Sequence, residues 1–193
     1  LLMWAANDAP ITTNDLRERL LSAPSDSAQV QLMDGYRSLL TNDLLLAWDS
    51  DAEDLFQQKQ AKQAEQMERV MLQAAQLQRD TVAIAWGRYR LGRFLAQSTP
   101  AVAADHYRAA QQLFAGISER DGEGWARLGL GWIAAVHGKP KESEQEYNAA
   151  LLLFQASGQQ GYEAYALNNL GDAVSQQGDY GRALQLYQRG LSL

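Results

Sequence analysis

Three tyrosines at forty-residue intervals constrain the fold of this chain more than any other feature of its sequence. Tyr107, Tyr147 and Tyr187 are each followed, three positions later, by an alanine or a glycine. A fixed period of this length is typical of solenoids, in which each helical repeat buries its apolar face on its neighbours. The spacing therefore predicts an all-α solenoid, and such proteins usually present a binding surface.

The composition is that of a folded protein, and it argues against nucleic acids and membranes as partners. The 193 residues are 46% hydrophobic and 21% charged, and the net charge is −6. Because an acidic surface repels phosphates, we expect no nucleic-acid binding. No apolar run approaches the roughly 20 residues that span a bilayer, and the apolar start from Leu1 to Trp4 lacks the features of a signal peptide. We therefore expect no membrane partner.

The chain has no cysteine, which excludes disulfides, thiolate metal sites and a cysteine nucleophile. This composition fits a reducing compartment, and a cytoplasmic location is expected. The first residue is Leu1 and not methionine, and Leu191-Ser192-Leu193 stops without a helix-capping signal. We interpret the sequence as a fragment of a longer protein, and we expect the uncapped last repeat to be capable of self-association.

The chain divides into two regions at about residue 50. In the first region, Thr13-Asn14-Asp15 predicts a helix N-terminus, and a second helix is predicted from Ala28 to Leu46. In the second region, Asp49-Ser50-Asp51 predicts the N-cap of a long helix that ends near Gln78.

Three helical hairpins follow. Their first helices are predicted at about 80–97, 120–137 and 161–177, and their second helices at about 101–117, 140–157 and 180–193. The helices within each hairpin are separated by turn-forming residues at Ser98-Thr99-Pro100, Gly138-Lys139-Pro140 and Gly178-Asp179-Tyr180.

The last hairpin resembles a tetratricopeptide repeat. The segments 164–171 and 178–187 hold small and large residues at the family's positions, which here are Leu167, Leu170, Gly171, Ala183, Tyr187 and Gly190. The two preceding hairpins keep part of this pattern. Met67 and Val70 lie forty residues before Tyr107 and Ala110, so the helix that ends near Gln78 resembles the second helix of a degenerate repeat.

The resemblance implies a right-handed α-solenoid of antiparallel helix hairpins with a helical N-terminal segment. Its repeats would cover about 51–78 (degenerate), 80–118, 120–158 and 161–193. A forty-residue period is longer than the usual 34 and is similar to that of kinesin light chains and of the sensor arms of bacterial transcription activators and signalling ATPases. Residues 1–50 would be either a helical cap or the remnant of a winged-helix segment.

In this family the first helices of successive hairpins line a concave groove. The resemblance therefore implies a site for a protein or peptide made by Trp86, Tyr89, Arg90, Arg93, Trp125, Leu128, Trp132, Tyr165, Asn168, Asn169 and Asp172. Trp86, Trp125 and Tyr165 hold one equivalent position and form an aromatic column. Aromatic residues with a few arginines are typical of binding hot spots. Aromatic residues at helical spacing also fill cores, so the column is either a groove surface or packing between hairpins.

Catalytic and cofactor motifs are not found. Gly138-Lys139 is followed by Pro140 where a phosphate-binding loop needs serine or threonine, and His106 and His137 have no second metal ligand at helical spacing. We expect neither metal, cofactor nor catalysis. The sequence predicts a peptide-binding scaffold of a regulatory or signalling protein. A small-molecule-sensing arm and a structural oligomerisation element remain the alternatives.

Overall fold

Left-handed turns at intervals of about twenty residues separate most of the helices. In the computed structural model, which describes residues 11–193 apart from the side chain of Asn42, a positive φ occurs at Lys59, Arg79, Ser118, Gly138, Gly158 and Gly178. A residue in this conformation satisfies the last carbonyls of a helix and turns the chain away from its axis. Three of the six are glycines, which adopt a positive φ without steric cost.

Within residues 11–193 the structure contains ten α-helices, one 3₁₀ helix and no strand. Four α-helices precede residue 80: α1 (Thr13–Leu21), α2 (Asp26–Gly35), α3 (Asn42–Gln57) and α4 (Ala61–Gln78), with the 3₁₀ turn Arg37–Leu39 between α2 and α3. Six follow: α5 (Thr81–Leu95), α6 (Pro100–Gly116), α7 (Arg120–Val136), α8 (Pro140–Ser157), α9 (Gln160–Gln176) and α10 (Tyr180–Leu191). None of the helices in this part of the chain is long and apolar enough to cross a bilayer. The predicted absence of a signal peptide concerns Leu1 to Trp4, which lie outside the described residues.

The chain forms two compact units, Leu1–Ala74 and Ala75–Leu193. In the first, α1 begins with a capping box. The Thr12 hydroxyl accepts a hydrogen bond from the Asp15 N–H, and the Asp15 carboxylate accepts one from the Thr12 N–H, both at 3.1 Å. The bonds from Thr12 hold the pKa of Asp15 below its ordinary value. An ion pair between Arg17 and Asp51, 2.7 Å long, joins α1 to α3.

Two predicted helices in this region are wrong. The helix expected from Ala28 to Leu46 is divided, because the Thr41 hydroxyl accepts a hydrogen bond from the Leu44 N–H and begins α3 there. Asp49-Ser50-Asp51 consequently lies inside α3 and caps nothing. The long helix expected to reach Gln78 is interrupted at Lys59, whose φ of 63° ends α3. The predicted domain division at about residue 50 stays a prediction.

The second unit contains the three hairpins α5–α6, α7–α8 and α9–α10, and their predicted helices are confirmed to within about three residues. In each hairpin a tyrosine of the period lies on a glycine of the preceding helix. These pairs are Gly92 with Tyr107, Gly131 with Tyr147 and Gly171 with Tyr187. A Cβ added at Gly171 would lie 2.5 Å from the Tyr187 ring, so glycine is what lets the two helices approach.

Hydrogen bonds accepted by one glutamate connect α8 with the last hairpin. The Glu144 carboxylate accepts from Gln177 at 2.7 Å and from Arg182 at 2.6 Å. The hydrogen bond from Gln177, together with that from Arg182, holds the pKa of Glu144 below its ordinary value. This polar contact supplements the apolar core formed by buried residues such as Phe154 and Leu170.

Candidate binding groove

The first helices of the three hairpins, α5, α7 and α9, place a group of aromatic side chains around one cleft of about 150 Å³. Its lining residues are Tyr89, Arg93, Tyr107, Trp125, Leu128, Gly129, Trp132, Tyr165 and Asn169. The side chains from α5, α7 and α9 recur at one-turn intervals, which brings them to the same face of their helices. We name this feature the aromatic cleft.

Ring contacts hold the walls of the aromatic cleft in place. The rings of Trp125 and Tyr165 have centroids 5.5 Å apart, and those of Tyr89 and Tyr107 are 5.9 Å apart. Both pairs are tilted, an arrangement that aromatic rings favour over direct face-to-face stacking. Trp125 also contacts Phe154 and Tyr162, at 5.6 and 5.0 Å. The cleft wall is therefore continuous with the core below it, and its shape is formed before any ligand arrives.

Tyr107 belongs to α6, the second helix of its hairpin, and it also lines the aromatic cleft. Its ring lies between Gly92 of α5 and Gly129 of α7, and a Cβ at Gly129 would come within 2.5 Å of it. The residue is only 4% exposed. Burial raises the pKa of Tyr107 well above its ordinary value, and Tyr89, Arg93 and Tyr165 also affect its titration. The hydroxyl is therefore protonated at physiological pH.

Polar groups are few in the aromatic cleft. The Asn169 Nδ2 donates to the Tyr165 carbonyl at 2.8 Å, which fixes the orientation of the amide. Arg93 contributes a positive charge on the α5 side. An apolar cleft with a small number of placed polar groups is the usual form of a recognition site.

Seven of the eleven residues predicted for the groove line the aromatic cleft: Tyr89, Arg93, Trp125, Leu128, Trp132, Tyr165 and Asn169. Trp86, Arg90, Asn168 and Asp172 do not. The Trp86 ring lies 4.9 Å from Phe114, within the core formed by α5, α6 and α7. Asn168 lies beside Gly190, and Asp172 accepts a hydrogen bond from the Tyr187 hydroxyl at 2.7 Å. The assignment of the eleven residues to a binding surface stays a prediction.

The sequence analysis missed Tyr107 and Gly129. The sequence analysis used Tyr107 only as a marker of the repeat period and took groove residues only from the first helices, whereas Tyr107 lies on a second helix. Arg90 and Asn169 occupy the positions equivalent to Gly129 in the neighbouring hairpins. A glycine at a position where both neighbouring hairpins carry a long side chain indicates space for another side chain, and this was the signal in the sequence.

Among residues 11–193, no group of three or more histidine, aspartate or glutamate side chains is placed to hold a metal ion. The aromatic cleft is lined by aromatic, aliphatic, amide and guanidinium groups. These groups are suited to contact and hydrogen bonding with a partner.

Consecutive antiparallel hairpins with an aromatic cleft on their first helices define an α-solenoid of the helical-repeat class. A sequence profile of the tetratricopeptide repeat matches residues 134–193. The crystal structure of BtubC (BKLC) from P. vanneervenii is similar in fold, with a TM-score of 0.69 over 93% of this chain and 77% of that one. The two sequences are 16% identical. No curated protein matches the chain.

The predicted resemblance to tetratricopeptide repeats and the predicted all-α solenoid are confirmed by these two matches. At 16% identity the similarity to BtubC concerns the fold alone. Tetratricopeptide repeats in general serve as scaffolds for protein interaction and are typically not catalytic. The fold thus supports a general function as a scaffold for protein interaction.

Proposed function

We propose that the chain is a binding module that captures a segment of a partner protein in the aromatic cleft. The observation that carries this proposal is the convergence of side chains from three successive first helices on one cleft. Because the cleft is walled by preformed ring contacts, a ligand would meet little entropic cost in ordering the site. Tyr165 is 52% exposed, so its ring offers apolar surface that a partner can cover.

The size of the cleft favours a peptide over a free small molecule. Pockets for small-molecule ligands usually have volumes of about 300–1,000 Å³, whereas this cleft has about 150 Å³. A cavity of about 150 Å³ accommodates one benzene-sized group. The cleft therefore suits a single side chain of a longer segment that continues along the first helices. The small-molecule-sensing arm is the weaker alternative on this ground.

A matched pair of exposed tyrosines tests the proposal. Peptides are selected from a displayed library on the wild-type chain, and the affinity of the best peptide is measured for Tyr165→Ala and for Tyr180→Ala. Tyr180 is 72% exposed on α10 and outside the cleft. We expect Tyr165→Ala to weaken binding about tenfold or more, as loss of an aromatic hot spot does, and Tyr180→Ala to have no effect. Equal affinities for both variants would refute the cleft as the site.

Self-association is a second proposal, supported by the face of α10. Tyr180, Leu184 and Leu191 are exposed by 72%, 57% and 86%, and their spacing places them on one side of the helix. Leu151, which is equivalent to Leu191 one repeat earlier, is only 6% exposed because the next hairpin covers it. A second copy of the chain would cover this face in the same way.

Sedimentation equilibrium of the wild type and of Leu184→Glu/Leu191→Glu tests this second proposal. We expect the wild type to dimerise with rising concentration and the double variant to stay monomeric, because two buried charges would oppose association. A monomeric wild type would rule the dimer out. The regulatory or signalling role and the cytoplasmic location stay predictions, and identification of the captured partner would test them.

A further inference from the structure

A second opening lies between the second helices of the first two hairpins. Its volume is about 540 Å³, and ligand sites usually have about 300–1,000 Å³. Its lining residues come from α6, α7, α8 and the turn that precedes α8, and all of them differ from those of the aromatic cleft. The buried side chains of Ala104, Ile133 and Ala134 form an apolar floor. We name this feature the second-helix groove.

One repeat later, a polar bridge joins the corresponding second helices. Glu144 of α8 accepts hydrogen bonds from Gln177, in the turn before α10, and from Arg182 of α10. The carboxylate and the guanidinium of this bridge are 2.6 Å apart. The repeat therefore connects α8 to α10 through a pair of opposite charges.

The second-helix groove carries other residues at the three positions of this bridge. The residues forty positions before Glu144, Gln177 and Arg182 are Ala104, His137 and Glu142, and all three line the groove. The methyl group of Ala104 is too short to cross to the next helix as the Glu144 side chain does. Glu142 presents a carboxylate where the bridge has a guanidinium, so the charge at this position is reversed. A guanidinium that enters from outside would restore a pair of opposite charges here.

His137 provides a second acceptor in the second-helix groove. Its Nδ1 lies 2.8 Å from the Ile133 carbonyl oxygen. A carbonyl only accepts, so Nδ1 carries the proton, and Nε2 of the neutral ring is then an acceptor. Gln177 makes the equivalent contact, since its Nε2 lies 3.3 Å from the Ala173 carbonyl oxygen while it also donates to the bridge. At the groove, this position therefore calls for a donor from a ligand.

Two local ion pairs at the rim of the groove are easily exchanged. Arg108 lies 2.8 Å from Asp105, and Lys139 lies 3.1 Å from Glu142. All four side chains are more than half exposed, and ion pairs between exposed side chains contribute little to stability. Glu142 can therefore exchange Lys139 for another cation at little cost.

A third group of charges leaves the groove negative. Arg127 is shared by two carboxylates, those of Glu123 at 3.0 Å and Glu146 at 3.2 Å. One guanidinium balances only one of them, and Glu146 lines the groove. With the two rim pairs neutral, the surroundings of the groove carry one unbalanced negative charge, which attracts a cation.

We propose that the second-helix groove binds an arginine side chain of a partner protein. The guanidinium donates to the Glu142 carboxylate and to the His137 Nε2, and the aliphatic stem contacts the alanines of the floor. Arginine fits better than lysine because its planar group directs five donors at separate acceptors. The inference goes beyond the proposed function, since it adds a second site on the opposite helices of the hairpins.

Two small probes of the same shape test the charge requirement. N-acetyl-argininamide carries a guanidinium, and N-acetyl-citrullinamide carries a neutral urea in its place. Binding is followed at millimolar probe concentration, since fragments of this size bind weakly, by the ring signals of His137, one of two histidines in the chain. We expect the arginine probe to shift these signals and to bind about fivefold or more tightly than the citrulline probe. Equal binding of the two probes, or no shift with either, would overturn the proposal.

Glu142→Gln and Glu65→Gln form a matched pair of variants. Each removes the carboxylate of a local ion pair, but Glu65 pairs with Arg69 on α4, away from the groove. We expect Glu142→Gln to weaken binding of the arginine probe about threefold or more and Glu65→Gln to leave it unchanged. Equal affinities for the two variants would contradict the role of Glu142.

Installing the bridge of the next repeat should close the groove. The double variant Ala104→Glu/Glu142→Arg supplies the chain's own carboxylate and guanidinium at the equivalent positions. We expect it to lose binding of the arginine probe while its helical circular dichroism is retained. A folded double variant that binds as the wild type does would refute the site, and Glu142→Gln decides the question if the double variant does not fold.

Tyr165→Ala separates this site from the aromatic cleft. We expect the variant to bind the arginine probe as the wild type does, because Tyr165 lines the cleft and not the groove. Loss of probe binding in Tyr165→Ala would place the probe in the aromatic cleft and contradict the second-helix groove. The selected peptide tests the cleft independently, so either proposal can fail while the other stands.

Discussion

Replacing Gly131 by alanine tests the packing that sets the spacing of the helices. Gly131 lies on α7 and is covered by the ring of Tyr147 from α8. A Cβ at Gly131 would lie 2.6 Å from the Tyr147 Cδ1, far inside the 3.5–4.0 Å at which carbon atoms make favourable contact. Tyr147 is only 3% exposed, so its ring has little space into which to move.

Two opposing effects determine the size of the change. Overpacking a buried site costs about 1–3 kcal/mol, while alanine in place of glycine stabilises a helix interior by about 1 kcal/mol. Gly161→Ala provides the control, because Gly161 lies in α9 with no atom within 4 Å of its added Cβ. Because Gly161 is the second residue of α9, the control should show at most this gain in helix propensity. We expect the free energy of unfolding of Gly131→Ala to lie about 2 kcal/mol below that of the control.

Thermal and urea unfolding followed by circular dichroism measure this difference. For a chain of this length, 2 kcal/mol corresponds to a difference of about 4–8 °C in the midpoint. In a Tyr147→Ala background the ring is gone, so the same glycine substitution should no longer destabilise the protein. A Gly131→Ala variant as stable as Gly161→Ala, or an equal penalty in both backgrounds, would refute the account of the tyrosine–glycine contact.

Three further predictions concern single polar contacts. The pKa of Glu144 is lowered in the folded state. The ionised carboxylate therefore contributes to stability at pH values above the unfolded-state pKa, and this contribution is lost as the pH falls through the folded-state pKa. In urea unfolding, the wild type should accordingly lose more stability than Glu144→Gln between neutral pH and about pH 3. Asp172→Asn should lower the pKa of Tyr187 from about 12 toward its ordinary value of 10.0 in an NMR titration of the ring, and an unchanged value would exclude the hydrogen bond to Asp172 as the cause. Thr41→Ala should lower the free energy of unfolding by about 1 kcal/mol, because it removes the N-cap of α3. The control Thr13→Ala changes an exposed residue and should leave stability unchanged. The urea midpoints of the two variants measure the difference.

The repeat made the helices of the second unit predictable from the sequence. Proline at position 100 or 140, or glycine at 138 or 178, marks most of the turns, and such residues act through local backbone preferences that need no knowledge of the fold. In the first unit, neither the start of α3 nor the turn between α3 and α4 carries such a residue. Lys59 takes a left-handed conformation in a run of glutamines, and Thr41 begins a helix inside a segment with helical composition throughout. The sequence analysis therefore extended two helices too far.

The sequence by itself determined the class of fold and the helices from which a groove is made, because periodicity reports which residues share a helix face. Only the tertiary structure decided which of those residues meet. Trp86 and Trp125 are equivalent in the repeat and pack on the equivalent residues Phe114 and Phe154, yet only Trp125 lines the cleft. Tyr107 reaches the cleft because Gly129 leaves room for its ring. Such contacts depend on the distance between helices, which packing of many side chains sets together and no local pattern encodes.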